Sequence, residues 1–400
     1  MKTTHNNDTL TLYLAGRIDA NNSAEIESEI SALLAKFPGI VPTFDASELE
    51  YISSAGLRVL LKFRKGFGKN LDVLNVSSDV FDIFEVTGFT QLLNVRKKFR
   101  EVSIEGCPVI GEGHFSTVYR LDNETIIKVF NKFPVSLEKI QQDQKTAREA
   151  FVLGIPTAIS YDVVKVGGHY GIVYEMVNAD TLSAIVNKHP ELMAELSRKA
   201  GKLLQQLHHT EFKPGILPDI LTTWRGTITT LQEHELLSAE EAGSLHAVLD
   251  RIPSRNTFIH YDFHGGNILV QGDELILIDV GDASLGYPAV DLACVYLFAE
   301  LVPPVLARTG KKLQDLIGVS AEMMADYWRG LTSAYFETTD PAKLKAYHES
   351  VRPYGVFRLL NGLTNRVAAN NDFDKMRPEI LEILALMREL QDSLQPIDGL

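Results

Sequence analysis

One segment limits what this chain can fold into more than any other: residues 258–282, FIHYDFHGGNILVQGDELILIDVGD. It predicts a loop and then a short β-hairpin turning at Gly272-Asp273, because glycine and aspartate supply turn chemistry between apolar runs. Acidic residues around a hairpin can be no more than turn and cap residues. The spacing here favours chemistry instead. Asp262 is followed five residues later by Asn267, and 12 positions further on Asp279 closes an apolar strand. Phosphoryl transfer from ATP requires a group that orients the attacking hydroxyl and takes its proton, with oxygen ligands for magnesium beside it. Asp262 suits the first task. Asn267 and Asp279 suit the second, since magnesium prefers hard oxygen donors.

The same reaction requires positive charge and backbone donors on the phosphates. The string GEGHFSTVY, from Gly111 to Tyr119, sits between two predicted strands, as a loop folding over phosphates must. Gly111, Gly113, Phe115 and Val118 are its candidate nucleotide contacts, and Ser116 stands where a third glycine would complete the familiar pattern. No GxxxxGK[ST] occurs, which argues against a P-loop enzyme. Lys128 lies in a strand, IIKV, where alternation alone lets it point to solvent. The glycine loop upstream and the 260–267 loop downstream favour contact with the α- and β-phosphates instead. Such a lysine needs a helix carboxylate to hold it. Glu149 is the first choice and Glu138 the second, and either also reads as an exposed helix residue. Glu175-Met176-Val177 ends the last strand before a helical region. By order along the chain, adenine would bond the backbone of Glu175 and Val177.

At 400 residues the chain is too long for one ordinary core, so two or three domains are expected. The polar start MKTTHNNDTL lacks the apolar core of a signal peptide. No uninterrupted run of about 18 apolar residues is present, so no membrane span is expected. Cys107 and Cys294 match no metal or redox spacing and read as reduced packing cysteines in a cytoplasmic protein. Residues 1–100 carry 12 Lys and Arg against 12 Asp and Glu, so the whole net charge of −13 lies beyond them. That disfavours nucleic acid, whose phosphates need a basic surface. It permits a cationic substrate, and equally serves solubility.

Strands are expected at 9–14, ending at Phe44-Asp45, and at 71–76, with helices near 23–35, from Ser54, and at 78–87. From 108 the texture turns to β, with strands to about Gly111 and at 117–121, 125–130, 161–166 and 170–175, and a helix over 136–152. After 180 it is mostly helical, with a capping box at Ser238 and Glu241 and an Asp340-Pro341 helix start. The domain limits are therefore 1–100, 101–178 and 179–400.

The motifs HYDFHGGNIL and IDVGD resemble those of the aminoglycoside phosphotransferase and choline kinase families, relatives of protein kinases. The resemblance covers roughly 105–300 well and the later helices loosely. It implies Asp262 as catalytic base, Asn267 and Asp279 as magnesium ligands, His260 as support of the loop and Asp282 as support of the metal ligands. It implies that Asp291, in AVDLA, is a buried structural carboxylate. Unlike protein kinases, the chain has Val-Gly after Asp279 and only 12 positions from Asp279 to Asp291, too few for a long activation loop. That favours a small-molecule acceptor. Trp328, Tyr335 and Tyr354 read either as core aromatics or as a cation-binding lining.

Residues 9–95 resemble the STAS domain of anti-sigma-factor antagonists, through the string from Asp45 to Leu61, DASELEYISSAGLRVLL. In that family a serine at the start of a helix is phosphorylated, and Ser54 matches its position. Ser53 stands where many members have Asp, and Ala55 where many have Ser or Thr. A serine there can also simply cap the helix. A phosphate would meet free backbone N–H groups and the positive end of the helix dipole.

The expected fold is thus an α/β STAS domain with a mixed sheet, then a bilobal α+β protein kinase-like domain with a largely helical C-lobe. Three functions are open. The first is an ATP- and magnesium-dependent phosphotransferase acting on a hydroxyl of a small molecule, with the STAS domain as a regulatory module for an anti-sigma-type partner. The second is a protein kinase acting on Ser54 or its equivalent in another chain. The third is an inactive nucleotide-binding scaffold, against which intact Lys128, Asp262, Asn267 and Asp279 argue.

Overall fold

The computed structural model describes residues 1–6, 9–113, 115–308, 310–370, 372–398 and 400. Two compact units emerge: Met1–Ser103 with Val164–Gly167, and Ile104–Val163 with Gly168–Leu400.

The first unit is a five-stranded sheet in the order β1 (Thr3–Asn6), β2 (Thr9–Ile18), β3 (Pro42–Ile52), β4 (Asp72–Val76), β5 (Asn94–Lys97). The β1–β2 pair is antiparallel and the other three pairs are parallel. Parallel neighbours need crossovers, which α1 (Ser23–Leu34), α2 (Ser54–Phe67) and α3 (Ser78–Val86) supply. Alternation drives the core: Leu10, Leu12 and Leu14 of β2 and Phe44 of β3 are buried. The strand expected to stop at Phe44-Asp45 runs on to Ile52. Beyond Asp45 it leaves β4 but keeps pairing with β2, across register shifts at Tyr13/Ala15 and Gly16/Arg17. Gly16 at this irregularity takes φ +65°, which its missing Cβ permits.

The second unit begins with an antiparallel sheet of β6 (Val109–Glu112), β7 (Thr117–Arg120), β8 (Thr125–Val129), β9 (Ser160–Val166, of which the residues up to Val163 fall in this unit) and β10 (His169–Glu175), in the order 6-7-8-10-9. Helix α4 (Leu137–Val152) lies between β8 and β9, its N-terminus capped by Ser136. The rest is largely helical: α5 (Leu182–Lys188) after the short β11 (Asp180–Thr181), then α6 (Met193–His208), α7 (Ile220–Glu233) and α8 (Ala239–Leu249). β12 (Thr257–Ile259) follows, then the hairpin of β13 (Ile268–Gln271) and β14 (Glu274–Leu277), then β15 (Ser284–Gly286). Helices α9 (Ala289–Tyr296), α10 (Val302–Arg308), α11 (Leu313–Ile317), α12 (Ala321–Tyr335), α13 (Pro341–Asn370) and α14 (Phe373–Leu390) complete it. The capping box of Ser238 and Glu241 starts α8, and Asp340 accepts the Ala342 N–H at the start of α13.

One helix bears on the expectation that no membrane span is present. Ala289–Arg308 is helical and, by length and mean hydropathy, apolar enough to cross a bilayer. It contains Asp291 and Glu300, which break the run of apolar letters without breaking the helix. Every residue of α9 is buried in the core of the second unit, so a core helix accounts for the composition.

In the first unit, α2 approaches the sheet so closely that a Cβ on Gly56 would lie 2.7 Å from both Ile18 Cγ2 and Ile52 Cγ1. Gly56→Ala is expected to destabilise this unit by about 1–3 kcal/mol. Faster hydrogen exchange at the Leu57 and Leu60 amides is the readout, and unchanged exchange would contradict the close approach.

Candidate active site

Register places the glycine loop and Lys128 on one face of the β6–β10 sheet. Gly111 pairs with Val118, Val118 with Lys128, and Lys128 with Ile172. Directly opposed residues point to the same side, so these four form a row. Within the loop, the Gly113 N–H donates to the Ser116 carbonyl at 2.9 Å. Ser116 is buried, whereas Phe115 is 40% exposed and meets Phe133 edge to face. His114 lies outside the described residues.

Lys128 is paired with Asp279, not with Glu149. Its amine stands 2.6 Å from Asp279 Oδ1. Burial lowers the pKa of this amine, but the Asp279, Asp143 and Asp282 carboxylates outweigh it and hold the group charged. The α4 carboxylate turned toward this cluster is Asp143. Glu138 is exposed in the first turn, and six positions separate Asp143 from Glu149, which points the two about 120° apart on a 3.6-residue helix. Lys139, one turn before Asp143, lies 2.6 Å from both Asp143 Oδ1 and Asp282 Oδ1. Burial, then the repulsion of Asp282, lift the Asp143 carboxyl to about 6 against the pull of Lys139 and Lys128. A Cβ on Gly281 would sit 3.0 Å from Asp143, so α4 packs directly on the turn that follows Asp279.

The 260–267 loop hangs from Asp291. This carboxylate is fully buried and accepts the backbone N–H of His260 at 2.7 Å and of Tyr261 at 2.6 Å. His208 Nε2 approaches it at 3.3 Å, and His208 Nδ1 bonds the Tyr335 hydroxyl. The His260 ring is buried and tied at both nitrogens. Nδ1 accepts from the Asp262 N–H, so Nε2 carries the proton and donates to the Ile278 carbonyl at 3.1 Å. Asp262 projects from the loop with 39% of its side chain exposed. The Asn267 amide donates to its Oδ2 at 3.0 Å and His264 Nε2 stands at 3.4 Å. Cys294 Sγ lies 3.8 Å and Arg358 Nη2 4.0 Å from Oδ1. Crowding by protein raises the Asp262 pKa, yet the His264 hydrogen bond, with His264, the Arg358 guanidinium and His260 close by, prevails and holds it well below the usual carboxylate range.

The β13–β14 hairpin brings Asn267 and Asp279 to one end. Ile268 pairs with Leu277, and the Ile278 N–H donates to the Asn267 carbonyl at 2.9 Å. Asp279 takes φ +60°, unusual for a residue with a Cβ, and its carboxylate is half exposed. The Asn267 Nδ2 is spent on Asp262, which leaves its side-chain oxygen for another partner. A carboxylate and an amide oxygen at the mouth of one hairpin suit magnesium, which takes few protein ligands and completes its shell with water and phosphate oxygens.

At the end of β10, the Glu175 carboxylate accepts the Ile159 N–H at 3.2 Å, and the Met176 N–H donates to the Glu124 carbonyl at 2.7 Å. Val177 follows, its carbonyl accepting from the Ala179 N–H. Burial, with Asp279 and Asp143 nearby, pushes the Tyr174 hydroxyl pKa far up. Trp328, Tyr335 and Tyr354 are all buried in the helical core. They belong to the hydrophobic core of this unit. A cavity of about 10 Å³ beside His264, lined by Met193, Met323 and Tyr327 among others, holds no more than one water.

In the first unit, Ser53 and Ser54 differ. Ser53 is the N-cap of α2 and its hydroxyl accepts the Ala55 N–H at 3.2 Å. Ser54 is the first helical residue and is exposed.

Sequence reasoning did not single out Asp143, Lys139, Tyr174 or Arg358. The i, i+4 spacing of Lys139 and Asp143 was a usable signal. Arg358 offered none, being 97 residues from the carbonyl it binds.

Comparison with known proteins agrees with this architecture. A family model described as "Phosphotransferase enzyme family" matches residues 106–327, and one described as "Mlab, STAS domain" matches 1–94. The chain belongs to the phosphotransferase enzyme family, with a STAS domain at its N-terminus. A Bordetella bronchiseptica protein named as an anti-sigma factor antagonist, BtrV, is 33% identical over 85 residues, which are 20% of this chain and 72% of that protein. Among solved structures, a choline/ethanolamine kinase family protein from Mesorhizobium loti is 16% identical, with a TM-score of 0.45 over 72% of this chain and 92% of its own. The ADP-bound aminoglycoside phosphotransferase APH(2'')-Ib is 14% identical, with a TM-score of 0.45 over 72% of this chain and 94% of its own.

A carboxyl whose folded pKa is about 6 against 3.8 for the free group opposes folding when ionised. The penalty is full above pH 6 and fades between 6 and 4. Asp143→Asn is therefore expected to stabilise the protein by about 2–3 kcal/mol at pH 8, with the gain shrinking by pH 4.5. Thermal unfolding at the two pH values checks it, and an equal gain at both would contradict the assignment.

Proposed function

We propose that the second unit transfers the γ-phosphoryl group of ATP to a hydroxyl of a small-molecule acceptor. The observation that carries this reading is one continuous chain of contacts. Lys128 Nζ meets Asp279 at 2.6 Å, Ile278 bonds Asn267 at 2.9 Å, and Asn267 bonds Asp262 at 3.0 Å. Lysine, metal donors and base thus converge from β8, the hairpin and the 260–267 loop. In this reading Lys128 contacts the α- and β-phosphates under the Gly111–Gly113 loop, with Phe115 and Val118 beside the nucleotide and the Glu175–Val177 backbone at adenine. Asp143 takes the part expected of Glu149, receiving the Lys128 amine when Asp279 turns to the metal. Asn267 and Asp279 would hold magnesium, which would supply positive charge against the transferring phosphate.

The acceptor oxygen attacks the γ-phosphorus, the bond from phosphorus to the bridging β-oxygen breaks, and ADP departs. Asp262 orients the hydroxyl and receives its proton. A carboxylate of low pKa is a weak base, but in a loose transition state the proton leaves late, so orientation matters more than basicity. The donors on Asp262 fix its geometry and keep it ionised. His260 supports the loop without touching the reactants. ATP as donor fits the cytoplasm as the place of reaction. The short segment from Asp279 through β15 to α9 leaves no long loop for docking a peptide, which favours a small acceptor.

The functional parts follow as 1–100, 101–178 and 179–400, the first serving as the regulatory module for an anti-sigma-type partner. A second reading rests on Ser54, whose exposure contrasts with the engaged hydroxyl of Ser53: the kinase-like unit phosphorylates Ser54, in its own chain or another.

Asp262→Asn is expected to bind ATP with magnesium within about threefold of the unaltered protein and to lose turnover about 10²–10⁴-fold. Unchanged turnover removes Asp262 as the base. Intact-mass measurement after incubation with magnesium and ATP separates the two readings. A phosphate that appears on the protein and is lost in Ser54→Ala favours the second, hydrolysis without labelling favours the first, and no nucleotide binding leaves an inactive scaffold.

A further inference from the structure

The residue before the base is an aromatic in a backbone conformation that aromatics avoid. Tyr261 takes φ +70°, which costs of order 1–3 kcal/mol and persists only where the surroundings enforce it. Every polar atom of Tyr261 is held. Its N–H donates to Asp291 Oδ1 at 2.6 Å. Its hydroxyl accepts from Trp224 Nε1 at 3.1 Å and donates to Asn361 Oδ1. Its carbonyl accepts from Arg358 Nη2 at 3.2 Å and from Nε at 3.4 Å. The guanidinium also lies 4.1 Å over the Tyr261 ring, and its Nη2 faces Asp262 Oδ1 at 4.0 Å.

We infer that Arg358 is a positioning residue for phosphoryl transfer: with Asn361 it clamps Tyr261 from helix α13 and so fixes the place of Asp262. The inference rests on the phosphotransfer reading and adds to it a residue beyond position 327, where the match to the family model ends. Arg358 and Asn361 are three positions apart in α13 and so share a face. Asn361 Nδ2 is itself anchored on Thr227 of α7 at 2.6 Å. The clamp thus ties α7 and α13 to the loop that carries the base. Arginine suits the task through a planar fork that can bond a carbonyl while its face lies on a ring. A lysine could supply charge but not the fork. An arginine only 14% exposed needs such partners. Its nearest carboxylate is at 4.0 Å, long for an ion pair, so its strongest bonds go to the Tyr261 backbone and not to the base.

The test is steady-state hydrolysis of ATP with magnesium by the full chain, together with ADP binding and thermal unfolding, for Arg358→Lys and Arg358→Met. A shift of the base by about 1 Å costs on the order of 100-fold. Arg358→Met is therefore expected to lower kcat about 100-fold with KM for ATP and ADP affinity unchanged within threefold. Arg358→Lys should fall between it and the unaltered protein, and added guanidinium at millimolar concentration should restore part of the Arg358→Met rate. Parallel loss of kcat and nucleotide affinity, or lysine no better than methionine with no guanidinium rescue, overturns the inference. Should Arg358→Met fail to fold, Arg358→Lys decides alone: unaltered kcat overturns the clamp, and lowered kcat at unaltered ADP affinity supports it. An unaltered protein that binds ADP but turns over no ATP, with or without acceptors, overturns the phosphotransfer reading itself and this inference with it.

Discussion

The site depends on one buried carboxylate. Asp291 has no contact with solvent, and a charge so placed is tolerable only when donors surround it. Two of those donors are consecutive backbone N–H groups, at His260 and Tyr261. Holding both on one carboxylate bends the chain at Tyr261 and turns Asp262 outward. His260, next to this anchor, carries the constraint across to Ile278, the residue before Asp279. One interaction in the core therefore sets the places of both Asp262 and Asp279, although they belong to different loops.

How much of this could be read from the letters depended on range. The hairpin at 268–277 was legible, because turn residues and alternation act over a few positions. So were the glycine loop, the capping box at Ser238 and Glu241, and the order of elements. The partner of Lys128 was not. Glu149 and Asp143 are equally plausible letters, and only the docking of α4 on the turn at Gly281 decides which face of the helix meets the lysine. The end of β3 was misjudged because Asp45 resembles a strand terminus, while the pairing that prolongs the strand comes from β2. Arg358 lies on a helix whose register against the 260–267 loop no local pattern encodes. Long-range choices of this kind are made by packing.

The two units bring different chemistry. The first presents a helix start at which one serine is consumed as a cap and the next is left exposed. The second gathers lysine, carboxylates and an amide where three separate segments meet. Family membership agrees with both, through the STAS model for the first and the phosphotransferase model for the second. Within the second unit, α4 does more than cover the sheet. Lys139 bridges Asp143 and Asp282, so movement of this helix changes the electrostatic surroundings of Asp279.

The brevity of the link between Asp279 and Asp291 has a consequence for how the site loses order. Between them lie one turn, three residues of β15 paired with β12, and the start of α9. No slack separates Asp279 from the anchor. A fluctuation that frays the first turn of α9 releases His260, Tyr261 and the Asp279 turn together. Asp262 and Asp279 then open and close as one cooperative element, and arrangements with only one of these carboxylates in place stay rare.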